Sequence, residues 1–372
     1  MKAAVEIRAL ALAFPSIIRP NQWFRDNFPE VVAETEKHVM GKVWTAPEPA
    51  SETVAFEMAM APYLGDPFRG TDERRLLGPG ETSVGLEARG AREALAAAGL
   101  GPDDVDLLIS TSFLPDQVGV GNAAFVAREL GLRCSAWNME TACSSSVVAL
   151  QAASAMVAAG LHRRALVTVS CTYSRTCPDH DTLSWSIGDG AAAFVIEPAA
   201  RDGLGLLGGA TINTSETCGT IFYQLELDAS RAPVIGMRTL PEAGRLLRAT
   251  AEPYVRECCE SAARQAGVSL ADVDFFVVNT PLAWYVDFVS RALAIPRHKM
   301  IDAHRLYCNT GPVLMPGNLY HALAEHRIRP GDLVMLYSVG SVSTASAALF
   351  RWGDTHLGPP PAPPARTGLQ AE

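Results

Sequence analysis

Two stretches of the chain read almost alike: AGLGPDDVDLLIST at residues 98–111 and AGVSLADVDFFVVN at residues 266–279. Gly99 falls over Gly267, and Asp104-Val105-Asp106 over Asp272-Val273-Asp274, an offset of 168 residues. Each copy follows a helical stretch, ETSVGLEARGAREALAA or AGRLLRATAEPYVRECCESAARQ, and ends in an apolar run, LLIST or FFVVNT. Nearly the same offset recurs downstream, where RRALVTVS matches PGDLVMLYSVG with Leu166 over Leu333, 167 residues apart. Such a repeat of strands and helices predicts an α/β fold with two duplicated, βαβ-rich halves related by a pseudo-twofold axis. Near-continuous apolar runs such as ALVTVS and LVMLYS predict parallel strands covered on both faces.

The repeat divides the chain. Residues 1–200 form an N-terminal half that carries a polar, Trp- and Pro-bearing insertion at 20–69, and residues 201–356 form a C-terminal half. Within the latter, 201–240 is rich in Gly, Thr and Ser and reads as a bridge between the halves. Residues 357–372 read as a Pro-rich disordered tail.

Composition removes several function classes. The chain has 372 residues, 48% of them hydrophobic and 19% charged, with a formal net charge of −9. That balance suits a globular protein and not a nucleic-acid binder, which needs a basic face. The opening MKAAVEIRALALAFP alternates like a strand and is not read as a signal peptide. No apolar run approaches the roughly 20 residues of a membrane span, so no membrane partner is expected. The eight cysteines are scattered without a CxxC pair. No metal site is therefore expected, and free thiols in a cytoplasmic chain fit best.

TACSSS, residues 141–146, stands between WNME and the apolar run VVALQAASAMVAAG. A cysteine at a helix start is placed for nucleophilic work, because the backbone N–H groups there favour the thiolate and lower its pKa without a neighbouring base. The competing reading of Cys143 is a small buried hydrophobe.

Several further motifs bear on this choice: GTDERRLLGPGETS (70–83), SRTCPDHDTLSWSIGDGAAAFVIEP (174–198), YCNTGP (307–312) and SVGSVSTASAALFRW (338–352). With TACSSS, they resemble the thiolase superfamily, and most closely ketoacyl synthase III and its acyltransferase relatives in secondary metabolism. The resemblance spans about residues 66–353. It implies a thiolase-like fold with five layers, α-β-α-β-α. It also implies a Cys-His-Asn trio, and here this chain departs. The run Val278-Asn279-Thr280-Pro281-Leu282 puts Asn279 where the family has its histidine, so the trio becomes Cys143, Asn279 and Asn309.

Both asparagines can donate N–H bonds to a thioester or enolate oxygen, and neither can act as a base at neutral pH. His180, flanked by Asp179 and Asp181, and His304, five residues before Asn309, are the remaining base candidates. Each competes with a plain surface or structural role. Arg74 and Arg75 are candidates for the phosphates of coenzyme A or of a carrier protein's pantetheine arm, against a solvated surface pair. Gly340 is a candidate for bringing the backbone near Cys143. In the resembled family, the loop holding Phe113, Leu114 and Asp116 helps form a homodimer and shapes the partner's acyl pocket.

The function implied is an acyltransferase. It would load an acyl group from acyl-CoA or an acyl carrier protein onto Cys143. It would then pass the group to an oxygen, nitrogen or sulfur nucleophile in natural-product (polyketide-type) assembly. No cofactor is expected beyond the acyl-CoA or acyl-phosphopantetheine substrate itself. Decarboxylative condensation with a malonyl thioester is the second expectation, and a catalytically inactive partner subunit or acyl-binding scaffold the third.

Overall fold

The repeated segment has a physical cause in each half. Gly99 and Gly267 end the helices Ser83–Ala98 and Ala243–Ala266 with φ of 71° and 73°, the left-handed cap that favours glycine. Asp104 accepts the N–H of Gly101 at 2.9 Å and Asp272 that of Ser269 at 2.8 Å, closing a short 3₁₀ turn. The second aspartate of each copy ties that turn to the start of the next strand. Asp106 accepts from the amides of Arg163 and Arg164 at 2.7 and 2.8 Å, and Asp274 from that of Leu333 at 2.8 Å. Val105 and Val273, between the aspartates, are buried.

The computed structural model describes residues 4–44, 54–228, 230–340 and 342–361. A central mixed sheet runs Phe275–Val278, Leu333–Gly340, Thr344–Arg351, Gly205–Asn213, Val5–Ala13, Asp189–Pro198, Ala165–Thr172, Leu107–Phe113, Ser135–Asn138. His356–Leu357 lies beside Val5–Ala13. Outward from the Val5–Gly205 junction, both arms show the same pairings: antiparallel, antiparallel, then parallel. Parallel pairing thus holds for the outer strands, while Ala165–Thr172 and Leu333–Gly340 each turn an antiparallel edge inward.

The strands Phe275–Val278 and Leu333–Gly340 are buried on both faces. Phe275 and Val277 join one core while Phe276 and Val278 join another, and Val334 and Leu336 alternate in the same way with Met335 and Tyr337. Helices Ser145–Ala158 and Leu314–Ala324 fill the space between the arms. Ser83–Ala98 and Ala123–Leu130 cover one outer face, and Ala243–Ala266 and Tyr285–Leu293 the other. The result is the five-layer arrangement that the resemblance implies.

Three segments depart from a simple repeat. The insertion supplies helices Asn21–Asn27, Pro29–Trp44 and Val54–Met60. Residues 201–240 are more than a bridge: Gly205–Asn213 is the innermost strand of the second arm, and Ile221–Leu227 pairs with Pro233–Thr239 as a hairpin. The chain also stays on the body past residue 357, where the Gly358 amide donates to Leu10 at 2.9 Å. The rest of the expected tail, residues 362–372, lies outside the described residues. Among the described residues, no helix is long and apolar enough to cross a membrane.

The two anchoring aspartates give a stability test. Asp106→Ala and Asp274→Ala should each cost about 1–2 kcal/mol in chemical denaturation, since each strands backbone amides at a strand start. Burial alone would raise the Asp106 carboxyl, but the amides of Arg163 and Arg164 hold it below its usual value. Its contribution is therefore present above the unfolded pKa of about 3.9 and is lost as pH falls through the lower folded value. The Asp106→Ala deficit should shrink accordingly in acid.

Candidate active site

Cys143 sits in a single 3₁₀ turn, Ala142–Ser144, that runs straight into the helix Ser145–Ala158. The backbone there is strained: Ala142 has φ of 53°, a region that side-chain-bearing residues seldom enter. Local bonds hold it. The Glu140 carboxylate accepts the Ala142 amide at 2.6 Å, and the Ser145 hydroxyl donates to the Ala142 carbonyl at 2.7 Å while accepting the Thr141 amide at 2.8 Å. The other half of the molecule holds it as well, since Ser338 Oγ donates to the Cys143 carbonyl at 2.5 Å. Gly340 lies so close that a Cβ there would stand 2.6 Å from the Thr141 carbonyl oxygen and 3.1 Å from the Cys143 nitrogen.

The sulfur opens into a cavity of about 250 Å³. Phe56 from the insertion, Phe113 from a strand end, Ile221 and Met237 from the hairpin and Leu247 from a helix give it an apolar wall. Its polar groups are tyrosines, a few hydroxyls and Asn309; among the described lining residues there is no carboxylate, imidazole, lysine or arginine. Burial pushes the Cys143 thiol up to about 11, against a hydrogen bond from Tyr173, whose hydroxyl is 3.6 Å from Sγ. Burial thus works against the thiolate that a helix start favours.

The two asparagines part company. Asn309 lines the cavity. Its Oδ1 accepts the Gly311 amide at 2.9 Å, and its Nδ2 has no bond within the protein among the described residues. Asn279 is fully buried and does not line the cavity. Its Oδ1 accepts the Val339 amide at 3.1 Å and its Nδ2 donates to the Val339 carbonyl at 3.3 Å. The expected second oxyanion donor is thus occupied as a clamp on the strand that carries Ser338 and Gly340.

Neither histidine reaches the site. His180 is exposed. Of its neighbours, Asp179 pairs with Arg19 and Asp181 accepts the Leu183 amide at 2.9 Å, so neither carboxylate orients the ring. His304 is buried between the Thr280 carbonyl, 2.7 Å from Nδ1, and the Thr71 hydroxyl, 3.1 Å from Nε2. Burial pushes its pKa down to about 4, so it is neutral and structural.

Arg74 and Arg75 are fully buried and cannot meet a phosphate at the surface. Arg74 donates to the Trp185 carbonyl at 2.5 Å and to Asn21, with its guanidinium over Phe24 and Phe68. Arg75 lies over Phe14 and Tyr307, 3.7 Å from Glu73. Arg74 and its ring partners lock the insertion onto the body.

Phe113 lines this chain's own cavity, with Leu114 packed against the core behind it. Asp116 does not line it: its carboxylate caps the helix Ser83–Ala98 through the amides of Ser83 and Val84, at 3.2 and 2.8 Å, and pairs with Arg175.

The sequence reading missed Tyr173, Glu140 and Ser338. Glu140 had a local signal, a carboxylate just ahead of a helix start. Tyr173 and Ser338 had none, because they meet Cys143 only through the fold. Among the described residues, no cluster of His, Cys, Asp or Glu could hold a metal ion.

The profile of 3-oxoacyl-[acyl-carrier-protein (ACP)] synthase III matches residues 137–226, and that of its C-terminal region matches residues 263–352. A β-ketoacyl-[acyl-carrier-protein] synthase III of Rhizobium meliloti is 33% identical over 285 residues, covering 76% of this chain and 88% of the relative. One from Brucella suis is 31% identical over the same shares. In three dimensions, synthase III (FabH) of Pseudomonas aeruginosa superposes with a TM-score of 0.75 at 20% identity, over 94% of this chain and 99% of the other. Xanthomonas campestris OleA with bound lauric acid and lauroyl-CoA gives 0.73 at 21%, over 95% and 100%. At those identities the two structures speak for the fold alone.

The different placements of the asparagines predict different phenotypes. Asn279→Ala breaks two buried bonds and should cost about 1–3 kcal/mol in thermal or chemical denaturation. Asn309→Asp keeps an acceptor for the Gly311 amide but removes the N–H donor from the cavity. It should leave the melting temperature near wild type while slowing acyl transfer by about 10²–10³. Gly340→Ala should suppress acylation of Cys143, because its new methyl group would meet the rigid backbone of the nucleophile turn.

Proposed function

The chain belongs to the 3-oxoacyl-[acyl-carrier-protein] synthase III family, and from that premise we propose that it is an acyltransferase working through an acyl-Cys143 thioester. The observation that carries this reading is the opening of the Cys143 sulfur into an apolar cavity beside the free amide of Asn309. In the loading half-reaction, the sulfur attacks the carbonyl of an acyl thioester. The Asn309 N–H bonds the oxygen as it gains charge, and the apolar wall takes the acyl chain. The donor is acyl-CoA or an acyl carrier protein. A second hollow of about 410 Å³ lies next to the first, with Ser186 in the lining of both.

The cavity's lack of an acid or base side chain narrows the acceptor. An alcohol needs a base to become nucleophilic, whereas a neutral amine or a readily ionised thiol does not. Transfer to nitrogen or sulfur is therefore the reading supported best, and transfer to oxygen falls behind it. Placement of this step in natural-product assembly rests on the resemblance to acyltransferases of secondary metabolism, as does a homodimeric state. A second reading, decarboxylative condensation with a malonyl thioester, draws its support from the relatives that are 31–33% identical, which are β-ketoacyl-[acyl-carrier-protein] synthases III. It needs charge stabilisation at an enolate rather than proton removal, but only one of the two asparagine amides faces the cavity.

Intact-protein mass spectrometry after incubation with a panel of acyl-CoA and acyl-carrier-protein donors tests the loading step. Wild type should gain one acyl mass, and Cys143→Ala none. Chasing the acyl-enzyme with amine, thiol and malonyl acceptors then separates the two readings. Release of carbon dioxide coupled to product would establish condensation. No acyl gain with any donor would overturn the proposal in favour of a scaffold.

A further inference from the structure

A buried thiol with a raised pKa needs a partner that favours its ionised form, and the place where the family has a histidine supplies none, because Asn279 is bonded to the Val339 backbone. Among the described residues, one side chain is hydrogen-bonded to the Cys143 sulfur: Tyr173, at 3.6 Å. The fold fixes its ring. Tyr173 begins a 3₁₀ turn directly after the strand Ala165–Thr172 and is 6% exposed. Phe113 packs edge-on against it at 5.2 Å between centroids. On another side lies Gly311, at positive φ, where a Cβ would stand 3.4 Å from the tyrosine ring. The phenol is itself buried, which raises its pKa well above its ordinary value and keeps it a neutral donor.

We propose that Tyr173 is a catalytic residue, its hydroxyl donating a hydrogen bond to the Cys143 sulfur and stabilising the thiolate character of that sulfur in both half-reactions. In loading, a sulfur electron pair forms the new S–C bond. The donor's C–S bond breaks, and its electron pair leaves with the donor sulfur, which takes up the proton that Cys143 gives up. In discharge, the acceptor forms its bond to the carbonyl carbon, the C–Sγ bond breaks, and the pair returns to Sγ, which takes up the proton lost by an amine or thiol acceptor. Tyr173 begins and ends each step protonated. It acts only as a donor to whichever sulfur charge develops at Cys143, the task that the absent histidine leaves open. This role rests on the acyl-Cys143 reading for its catalytic meaning, but the hydrogen bond can be tested without any acyl donor.

The test is the rate of Cys143 alkylation by iodoacetamide as a function of pH, read at that residue by peptide mass spectrometry, in wild type and Tyr173→Phe. Loss of a hydrogen bond to a charged sulfur should raise the thiol pKa by roughly one to two units. Part of the lost thiolate is offset by the greater nucleophilicity of a more basic sulfur, so the rate near pH 8 should fall by about three- to tenfold. Thermal melting establishes that Tyr173→Phe is folded. Should it not be, Tyr173 replaced by 3-fluorotyrosine, a more acidic phenol and stronger donor, should shift the profile to lower pH. An unchanged profile in a folded Tyr173→Phe protein, or no downward shift with the fluorinated ring, overturns the proposal. Failure of wild type to acquire an acyl group would overturn the acyl-enzyme reading alone and leave the alkylation result standing.

Discussion

The bond from the Ser338 hydroxyl to the Cys143 carbonyl joins the two halves at the point where the chemistry is built. The turn that holds Cys143 belongs to the first half, and its φ of 53° at Ala142 is a conformation the local chain would not choose. It persists because the second half holds it. Asn279 clamps Val339, and the residues on either side of Val339 both meet the turn: Ser338 by a hydrogen bond, and Gly340 by an approach that admits no Cβ. Asn279 is therefore a support of the turn that holds Cys143. Both arms of the sheet thus contribute to the turn that holds Cys143.

The electrostatics follow from the same enclosure. The cavity wall is largely apolar, and its polar side chains are neutral. In such surroundings charge on sulfur is costly, so the Cys143 thiol rises, yet each hydrogen bond to that charge gains strength as water is excluded. Of the charged groups nearby, Glu140 is bonded to the turn itself and raises the Cys143 thiol further, and others are used elsewhere. Arg74 is sealed against Trp185 and the rings of the insertion, and Asp116 and Arg175 pair at the start of a helix. The enclosure that hampers ionisation of the free enzyme suits a thioester, whose carbonyl and chain are themselves weakly polar.

Much of the fold is legible in the sequence because it is written twice. The AG-x-DVD segment encodes a glycine cap, a turn-closing carboxylate and a strand-anchoring carboxylate, all read by backbone groups close in the fold. Strand direction is less legible, since apolar runs report burial on two faces and not the partner's orientation. Of the site, Cys143 is visible from its place at a helix start, and Asn309 from its motif. The fates of Asn279, His304, Arg74 and Arg75 are not, because a polar side chain looks the same in sequence whether it faces a cavity or a buried carbonyl. Tyr173 lies 30 residues from Cys143 along the chain, where no spacing rule could link them.

Among the described lining residues of the Cys143 cavity, no side chain is placed to serve as acid or base. The pH dependence of the single-turnover rate of Cys143 acylation tests it most directly. The account predicts a rate that keeps rising with pH beyond 8, tracking ionisation of a thiol pushed up to about 11. A profile that is flat from about pH 7 upward would contradict the account, because the rate would then not track ionisation of the Cys143 thiol.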